Sequence, residues 1–196
     1  MKKIMFNDRY GLTKAVLDGT KTMTRRIIHL KEADKIYLDT AFDWDLRERV
    51  IIDRFAKYKV GEVVAVAQSY KSVFEESLNY ALPRYHWLDD HIDEKGFENK
   101  MFVKASEMPH QIQITDVKIE RLQYISEEDC LKEGVVYDSR HWVNGYKVEN
   151  LWNKIDRQSH FRSAQVAFAN LINRISGKGT WVSNPYVFAY SFKLLK

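Results

Sequence analysis

The sequence predicts an α+β fold, in which short strands are interleaved with short helices. A closing strand is indicated near the C-terminal end, where aromatic and apolar residues alternate with others over 186–194 and define one buried face. The strongest amphipathic helix precedes it at 161–175, because its apolar side chains recur mostly at spacings of three and four. The elements mostly do not follow strand–helix–strand periods, and this order indicates an α+β barrel.

The first part of the chain predicts a helix followed directly by a strand. Residues 10–18 have a helical pattern, with Asp8 as the expected N-cap. Gly19 is the expected C-terminal stop, since glycine adopts a left-handed conformation without a steric cost. A strand is predicted over 21–28, where threonine and isoleucine favour an extended chain.

The middle of the chain alternates between charged and apolar segments. Apolar residues between Trp44 and Phe55 predict an amphipathic helix within the charged stretch 31–58. A continuous apolar run predicts a buried strand over 63–67. Residues 72–98 mix aromatic and acidic side chains. We interpret them as an insertion that covers one end of the barrel, a kind of excursion that often carries function.

A strand with a change of phase is predicted over 111–120. Ile112 and Ile114 share one parity, whereas Val117 and Ile119 share the other. A β-bulge near 115–116 would place all four side chains on one buried face.

The remaining elements are shorter. A short strand is predicted over 101–105. A helix is expected between Ser126, as its N-cap, and Gly134, because acidic residues occupy its first turn. Residues 137–158 have the composition of a loop.

Length and composition indicate an ordinary globular chain without a membrane anchor. The chain has 196 residues, 45% of them hydrophobic and 30% charged, with a formal net charge of +4. This mild basic excess permits a phosphate-bearing partner without requiring one. With Cys130 as the single cysteine, no disulfide framework is expected. No signal peptide or membrane span is recognised, so we expect a cytoplasmic protein.

One short stretch gathers many reactive groups. Residues 19–26 read Gly-Thr-Lys-Thr-Met-Thr-Arg-Arg, which places an amine, three hydroxyls and two guanidinium groups between a helix end and a strand. From residue chemistry alone, a solvated basic strand start and a ligand-binding site are both open.

This stretch, with three further blocks, resembles the ASCH domain family. The pattern Leu-x-Gly-x-Lys-Thr-x-Thr-Arg-Arg at 17–26 is similar to the family signature. Residues 60–64 resemble its second strand, and residues 114–134 resemble its central strand-and-helix block. Residues 184–188 resemble the closing strand of the larger, phage-type members. The resemblance implies a single PUA-like β-barrel domain over 1–196, with flanking helices and the insertion at 72–98.

The resemblance implies that RNA, a nucleotide or a modified nucleoside binds in a cleft beside the barrel. Some small bacterial members of the family are amidohydrolases that deacetylate N4-acetylcytidine, which makes hydrolysis an alternative function. Their catalytic lysine, threonine and glutamate correspond here to Lys21, Thr24 and Glu133. In that reading, a lysine of lowered pKa takes the proton of the threonine nucleophile, and the glutamate orients the lysine or moves a proton.

A geometric condition follows from the spacing of Lys21 and Thr24. Three residues apart, they would point to opposite faces of a regular strand. They can converge only if Lys21 still lies in the turn after Gly19.

Further candidates would hold the RNA or nucleotide, through guanidinium contacts to phosphate, hydrogen bonds and base stacking. These candidate binding residues are Arg25, Arg26, Thr22, Tyr70, Gln68 and Trp181.

Other observations point away from catalysis or toward other sites. Phage-type members commonly carry Arg-Glu-Thr-Trp after the second strand, where this chain has Ala-Gln-Ser-Tyr at 67–70. The residues at 86–93 include metal-capable groups, but they match no standard ligand spacing, so we expect no metal and no cofactor. A non-catalytic protein-interaction module is the remaining alternative, and it predicts an exposed apolar patch without an organised pocket.

Overall fold

A mixed five-stranded sheet forms the centre of the protein. The computed structural model describes residues 1–40, 43–78, 91–139, 145–149 and 160–195. The strands of the sheet lie in the order β1-β3-β4-β7-β2. Their bounds are β1 Lys2–Ile4, β2 Met23–Ile27, β3 Val63–Val66, β4 Gln111–Arg121 and β7 Tyr186–Leu195.

Only one pair of neighbours in this sheet is parallel. β1 runs parallel to β3, whereas the other three pairings are antiparallel. A separate two-stranded ribbon joins β5 (Val136–Asp138) to β6 (Gly145–Lys147), so the loop predicted over 137–158 is wrong at 137–138 and 145–147. In the described residues the central sheet is open, with β1 and β2 as its edges. The architecture is therefore mixed α and β, and closure into a barrel is not confirmed.

The predicted bulge in β4 is confirmed. Ile114 pairs with Phe192, whereas Asp116 pairs with Ser191, which leaves Thr115 as the extra residue. Ile112, Ile114, Val117 and Ile119 are all buried, since the bulge reverses the parity between the two halves of the strand.

Seven α-helices surround the sheet in the described part of the chain. They are α1 Leu12–Leu17, α2 Glu32–Thr40, α3 Trp44–Phe55, α4 Tyr70–Leu78, α5 Glu127–Lys132, α6 Ala164–Ser176 and α7 Thr180–Ser183. Side-chain caps fix several of their starts. Ser126 accepts a hydrogen bond from the Asp129 N–H, and Ser163 accepts one from the Val166 N–H. None of these helices is both long and apolar enough to cross a lipid bilayer.

Three further local predictions are wrong. The strand expected over 101–105 is instead two 3-10 turns, Lys100–Phe102 and Ala105–Glu107. The single buried face expected for β7 does not hold for Tyr186–Tyr190, where every residue is buried. β7 lies inside the sheet between β4 and β2 and is covered on both faces, so alternation fails there. Asp8 begins a 3-10 turn, and Gly11 is the N-cap of α1.

Most buried apolar side chains belong to one core, and a smaller second cluster forms around Ala65 of β3 and the start of α4. The second cluster includes Ala65, Tyr70, Val73 and Val103. It packs beneath α4, at the start of the predicted insertion. Residues 79–90 of that insertion lie outside the described residues.

Candidate functional site

Lys21 is held in the turn between α1 and β2. Gly19 has a φ of 74°, a left-handed conformation that reverses the chain at the helix end. The backbone N–H of Lys21 then donates to the Ala15 carbonyl at 2.9 Å. Since β2 begins only at Met23, Lys21 precedes the regular strand, and the geometric condition for its convergence with Thr24 is met.

A backbone contact brings this turn to the end of α5. The Thr22 N–H donates to the Lys132 carbonyl at 2.9 Å, so Lys21 lies next to the residue that caps α5, Glu133. Gly134 follows with a φ of 100° and lets the chain turn away. A Cβ at Gly134 would lie 3.2 Å from the Leu12 Cδ2 atom, which is a tight contact, and 3.8 Å from the Lys21 Cδ atom, which is an ordinary one. The positive φ and the contact with Leu12 therefore both favour glycine.

The side chains of Lys21 and Glu133 form a buried pair. The Lys21 Nζ atom lies 2.6 Å from Glu133 Oε2 and 2.7 Å from the Glu133 carbonyl oxygen. Lys21 is 2% exposed and Glu133 is 4% exposed. Burial lowers the pKa of Lys21, although the Glu133 carboxylate acts in the opposite direction. Deprotonation of Lys21 to the neutral amine therefore costs less free energy here than in water.

Arg25 donates to the carboxylate oxygen of Glu133 that Lys21 does not contact. Its guanidinium lies 2.6 Å from Glu120, 2.8 Å from Asp129 and 3.2 Å from Glu133. Burial opposes its charge, but the carboxylates of Glu133 and Glu120 prevail and raise the pKa of Arg25. Arg25 was expected to bind phosphate. In the structure these three carboxylates surround its guanidinium instead.

Asp129 and Lys118 complete this charged network. Lys118 Nζ lies 3.2 Å from Asp129 Oδ2 and 3.3 Å from Glu120 Oε2. Burial would raise the pKa of Asp129, but hydrogen bonds from Arg25 and Lys118 lower it overall. Asp129, Glu120 and Lys118 were not predicted as site residues. The sequence does offer a signal for two of them. Lys118 and Glu120 are polar residues two positions apart on β4, so they share the face opposite the buried Val117 and Ile119.

A cavity of about 500 Å³ opens beside Lys21 and Glu133. It lies between β2, the turn after β1 and helix α6. Its described lining residues are Met5, Phe6, Asn7, Leu12, Lys21, Thr24, Arg25, Arg26, Ile27, His29, Glu133, Phe168, Leu171, Ile172, Ile175 and Ser176. The three predicted catalytic residues therefore line one cavity.

Thr24 contributes a hydroxyl to this cavity. The residue is 5% exposed, and it is one of the residues that line the cavity. A hydroxyl both donates and accepts hydrogen bonds, so it can bond to a ligand or a water in the cavity.

Phe6 and Arg26 also line the cavity, and both lie close to Lys21 or to each other. The Arg26 Cζ atom lies 5.8 Å from the centre of the Phe6 ring, and the Lys21 Nζ atom lies 5.9 Å from it. Arg26 also donates to the Met5 carbonyl at 2.6 Å. Sequence reasoning did not identify Phe6, because it precedes every recognised motif.

The remaining predicted binding residues lie elsewhere. Tyr70 is in the second cluster, where its hydroxyl donates to Glu107 at 2.7 Å and its ring stacks on His91. Gln68 donates to Glu76 at 2.9 Å. Trp181 packs edge-on against Phe168 at the rim of the main core. Thr22 contacts α5 through its backbone N–H, which donates to the Lys132 carbonyl. None of the four is among the described residues that line the cavity.

Of the stretch 86–93, which carries groups that could bind a metal, the structure describes only residues 91–93. Residues 86–90 lie outside the described residues, and His91 contacts the Tyr70 ring and Glu94. Across the described ranges, no three histidine, cysteine or acidic side chains are grouped as metal ligands would be.

Comparisons with known proteins do not assign a family. No family model matches the chain. No curated protein sequence matches it. Among solved structures, it is similar to protein EF3133 from Enterococcus faecalis V583, a protein described under the family model DUF984. The identity is 12% and the TM-score is 0.39, with 100% of this chain and 77% of that chain covered. At this score the likeness supports no conclusion about fold or function.

Proposed function

We propose that the protein is an amidohydrolase that removes an acyl group from a nucleoside of the N4-acetylcytidine type. The observation that supports this function most directly is the shared cavity of Lys21, Thr24 and Glu133. The lowered pKa of Lys21 adds to it, because a lysine can act as a base near neutral pH only when its ammonium form is disfavoured.

In the proposed reaction, Thr24 is the nucleophile and Lys21 is the general base. A neutral Lys21 amine that donates its two N–H groups to Glu133 keeps its lone pair for the proton of the Thr24 hydroxyl. The Thr24 oxygen bonds to the acyl carbon. The carbon–nitrogen bond then breaks as the Lys21 ammonium returns the proton to the leaving nitrogen.

The second half of the reaction releases the acid. A water gives its proton to Lys21 and attacks the threonine ester, and Thr24 recovers its hydroxyl proton as the carboxylic acid departs. Glu133 holds the amine through both steps and offsets its transient positive charge. Arg25 in turn fixes the other oxygen of Glu133 at 3.2 Å.

The surroundings of the cavity support a nucleoside as the substrate. Phe6 and the apolar side of α6 offer surfaces for a base and its acyl group. Arg26 and His29 add polar groups for the sugar or a phosphate at its open side.

We also infer that the sheet is the core of a PUA-like ASCH domain. The four sequence blocks that resemble the family coincide with the turn into β2, with β3, with β4 and α5, and with the start of β7. These elements are neighbours in space, as one domain signature requires. Ala67 and Gln68, which replace the family's Arg-Glu pair, are not among the described lining residues.

Acetate release from N4-acetylcytidine tests the proposed function. We expect turnover by the unaltered protein and a loss of at least about 100-fold in kcat for Thr24→Val, which keeps the side-chain shape but removes the nucleophile. Lys21→Met should have a similar effect. Thr20→Val is the matched control, because Thr20 is exposed and its hydroxyl donates to the Ala15 carbonyl outside the cavity. Circular dichroism would verify that each variant is folded.

A second function, binding of RNA or a nucleotide without catalysis, is favoured by the ion pair itself. If Glu133 keeps Lys21 protonated, the amine has no lone pair to act as a base. In that case cytidine or a short RNA binds the cavity, N4-acetylcytidine is not hydrolysed, and Thr24→Val changes affinity alone. The non-catalytic interaction module is less favoured, since it predicts no organised cavity.

A further inference from the structure

The backbone of β2 has an unpaired edge that faces the cavity. In the described part of the chain β2 is an edge strand and pairs only with β7. Its register joins Met23 to Ser191 and Ile27 to Val187. The peptide groups on the side away from β7 therefore have no neighbouring strand.

Two hydrogen bonds at the ends of the strand identify the residues that carry this edge. The Phe192 N–H donates to the Thr22 carbonyl at 2.9 Å, and the Ile28 N–H donates to the Tyr186 carbonyl at 3.0 Å. In an antiparallel pair, every second residue bonds to the partner strand. The even-numbered residues therefore face β7, and the N–H and C=O groups of Arg25 and Ile27 face away from it.

The cavity lies along this edge. Thr24, Arg25, Arg26 and Ile27 all line it, although the side chains of consecutive residues in a strand point to opposite faces. A cavity that contacts residues from both faces of an edge strand must run along the exposed edge of its backbone. Within the described residues, no other group bonds to the backbone of Arg25 or Ile27.

We propose that this edge recognises the pairing edge of a pyrimidine base, so that Arg25 or Ile27 exchanges two hydrogen bonds with one ligand. The N–H and C=O of one strand residue lie side by side and form two bonds to a facing residue. Cytosine presents the same complement, an acceptor at N3 beside a donor at N4. The proposal deepens the proposed function and rests on it, because it assigns the base-recognition element of the same site.

The size of the available edge favours a base over an extended peptide. Two residues of the edge, Arg25 and Ile27, line the cavity, and the turn at Met5 and Phe6 lies beside them. A bound peptide strand normally uses a longer run of peptide groups. A single planar group needs only one residue of the edge.

Amide hydrogen exchange measured by NMR tests the proposal with cytidine, which is not hydrolysed. In the free protein we expect faster exchange at Arg25 and Ile27 than at Thr24 and Arg26, whose N–H groups face β7. Saturating cytidine should slow exchange at Arg25 or Ile27 by about tenfold and leave the even-numbered amides unchanged. N4,N4-dimethylcytidine, which lacks the donor, should bind about tenfold more weakly than cytidine.

A pair of variants separates the backbone from the side chain. Ile27→Pro removes the N–H at an edge position where proline is compatible with a strand, whereas Ile27→Ala shortens the side chain and retains the N–H. If the backbone of Ile27 bonds to the base, cytidine should bind the proline variant about tenfold more weakly than the alanine variant. If the backbone of Arg25 bonds to the base instead, the two variants bind cytidine equally and protection from exchange appears at Arg25.

Several outcomes would overturn the proposal. Protection of both amides in the free protein, no protection by bound cytidine, or no binding of cytidine at millimolar concentration would each do so. Protection by a capped dialanine peptide alone would assign the edge to peptides. If acetate release fails but cytidine protects the edge, catalysis is refuted and recognition stands. If acetate is released without such protection, recognition by the edge is refuted.

Discussion

At the scale of single residues, the charges of this site depend on one another. Arg25 is enclosed by Glu120, Asp129 and Glu133, and Glu133 also holds Lys21. Burying a charged group costs several kcal/mol unless opposite charges and hydrogen bonds surround it. Removing Arg25 therefore leaves three carboxylates with only Lys21 and Lys118 to offset their charge.

Replacing Arg25 is expected to destabilise the fold. Arg25→Met leaves three carboxylates around an apolar side chain, so we expect a loss of about 3–5 kcal/mol in the free energy of unfolding. Urea unfolding at neutral pH measures it. Arg174→Met on the exposed side of α6 is the control and should stay within about 0.5 kcal/mol of the unaltered protein. Equal stability of the two variants would contradict a charged network that holds the site together.

At the scale of elements, the end of α5 determines where Glu133 lies. Ser126 caps the start of the helix, and Gly134 ends it with a φ of 100° against Leu12. The chain can leave the helix without moving Glu133 because glycine has no Cβ to meet α1. The position of the Glu133 carboxylate therefore depends on Gly134, which has no side chain to take part in a reaction.

Two glycines with similar φ angles allow this role to be tested. Gly134→Ala and Gly177→Ala both place a Cβ at a positive φ, which costs about 1–3 kcal/mol. Only the Cβ at Gly134 meets a neighbour, since nothing lies within 4 Å of the one at Gly177. We expect Gly134→Ala to lower both stability and acetate release, whereas Gly177→Ala lowers stability alone. Loss of acetate release in both variants would contradict the positioning role of Gly134.

At the scale of the whole molecule, the core encloses the single cysteine. Cys130 on α5 is fully buried, and burial raises the pKa of its thiol to about 12. The reactive species is the thiolate, so the folded protein should resist alkylation. Reaction then requires opening of the core around α5.

Alkylation of Cys130 by iodoacetamide should therefore report unfolding. We expect little reaction in buffer at pH 8, and a rate in urea that follows the unfolding transition seen by circular dichroism. The reason is that Cys130 belongs to the main core, and core segments become exposed mostly when the whole domain unfolds. Rapid labelling of the folded protein, compared with a free cysteine at the same pH, would contradict the burial of α5.

Several elements were determined by local sequence alone. The reversal of parity between Ile114 and Val117 located the bulge at Thr115, because a strand with one buried face can accommodate it in no other way. Ser126 and Gly134 marked the limits of α5, since capping depends on neighbours in sequence. Gly19 was likewise located as the end of α1, but the strand predicted over 21–28 begins only at Met23, which leaves Lys21 in the turn.

Only the tertiary structure decided how distant residues meet. Lys21 and Glu133 are 112 residues apart, and their contact depends on the joining of β2 to α5. The apolar pattern of α6 predicted a helix but not the cavity that it covers. Likewise, Tyr70 looked like a stacking residue, and the second cluster buries it. Local preferences fix turns, caps and bulges, whereas the neighbours of a side chain depend on how sheet and helices pack over long sequence separations.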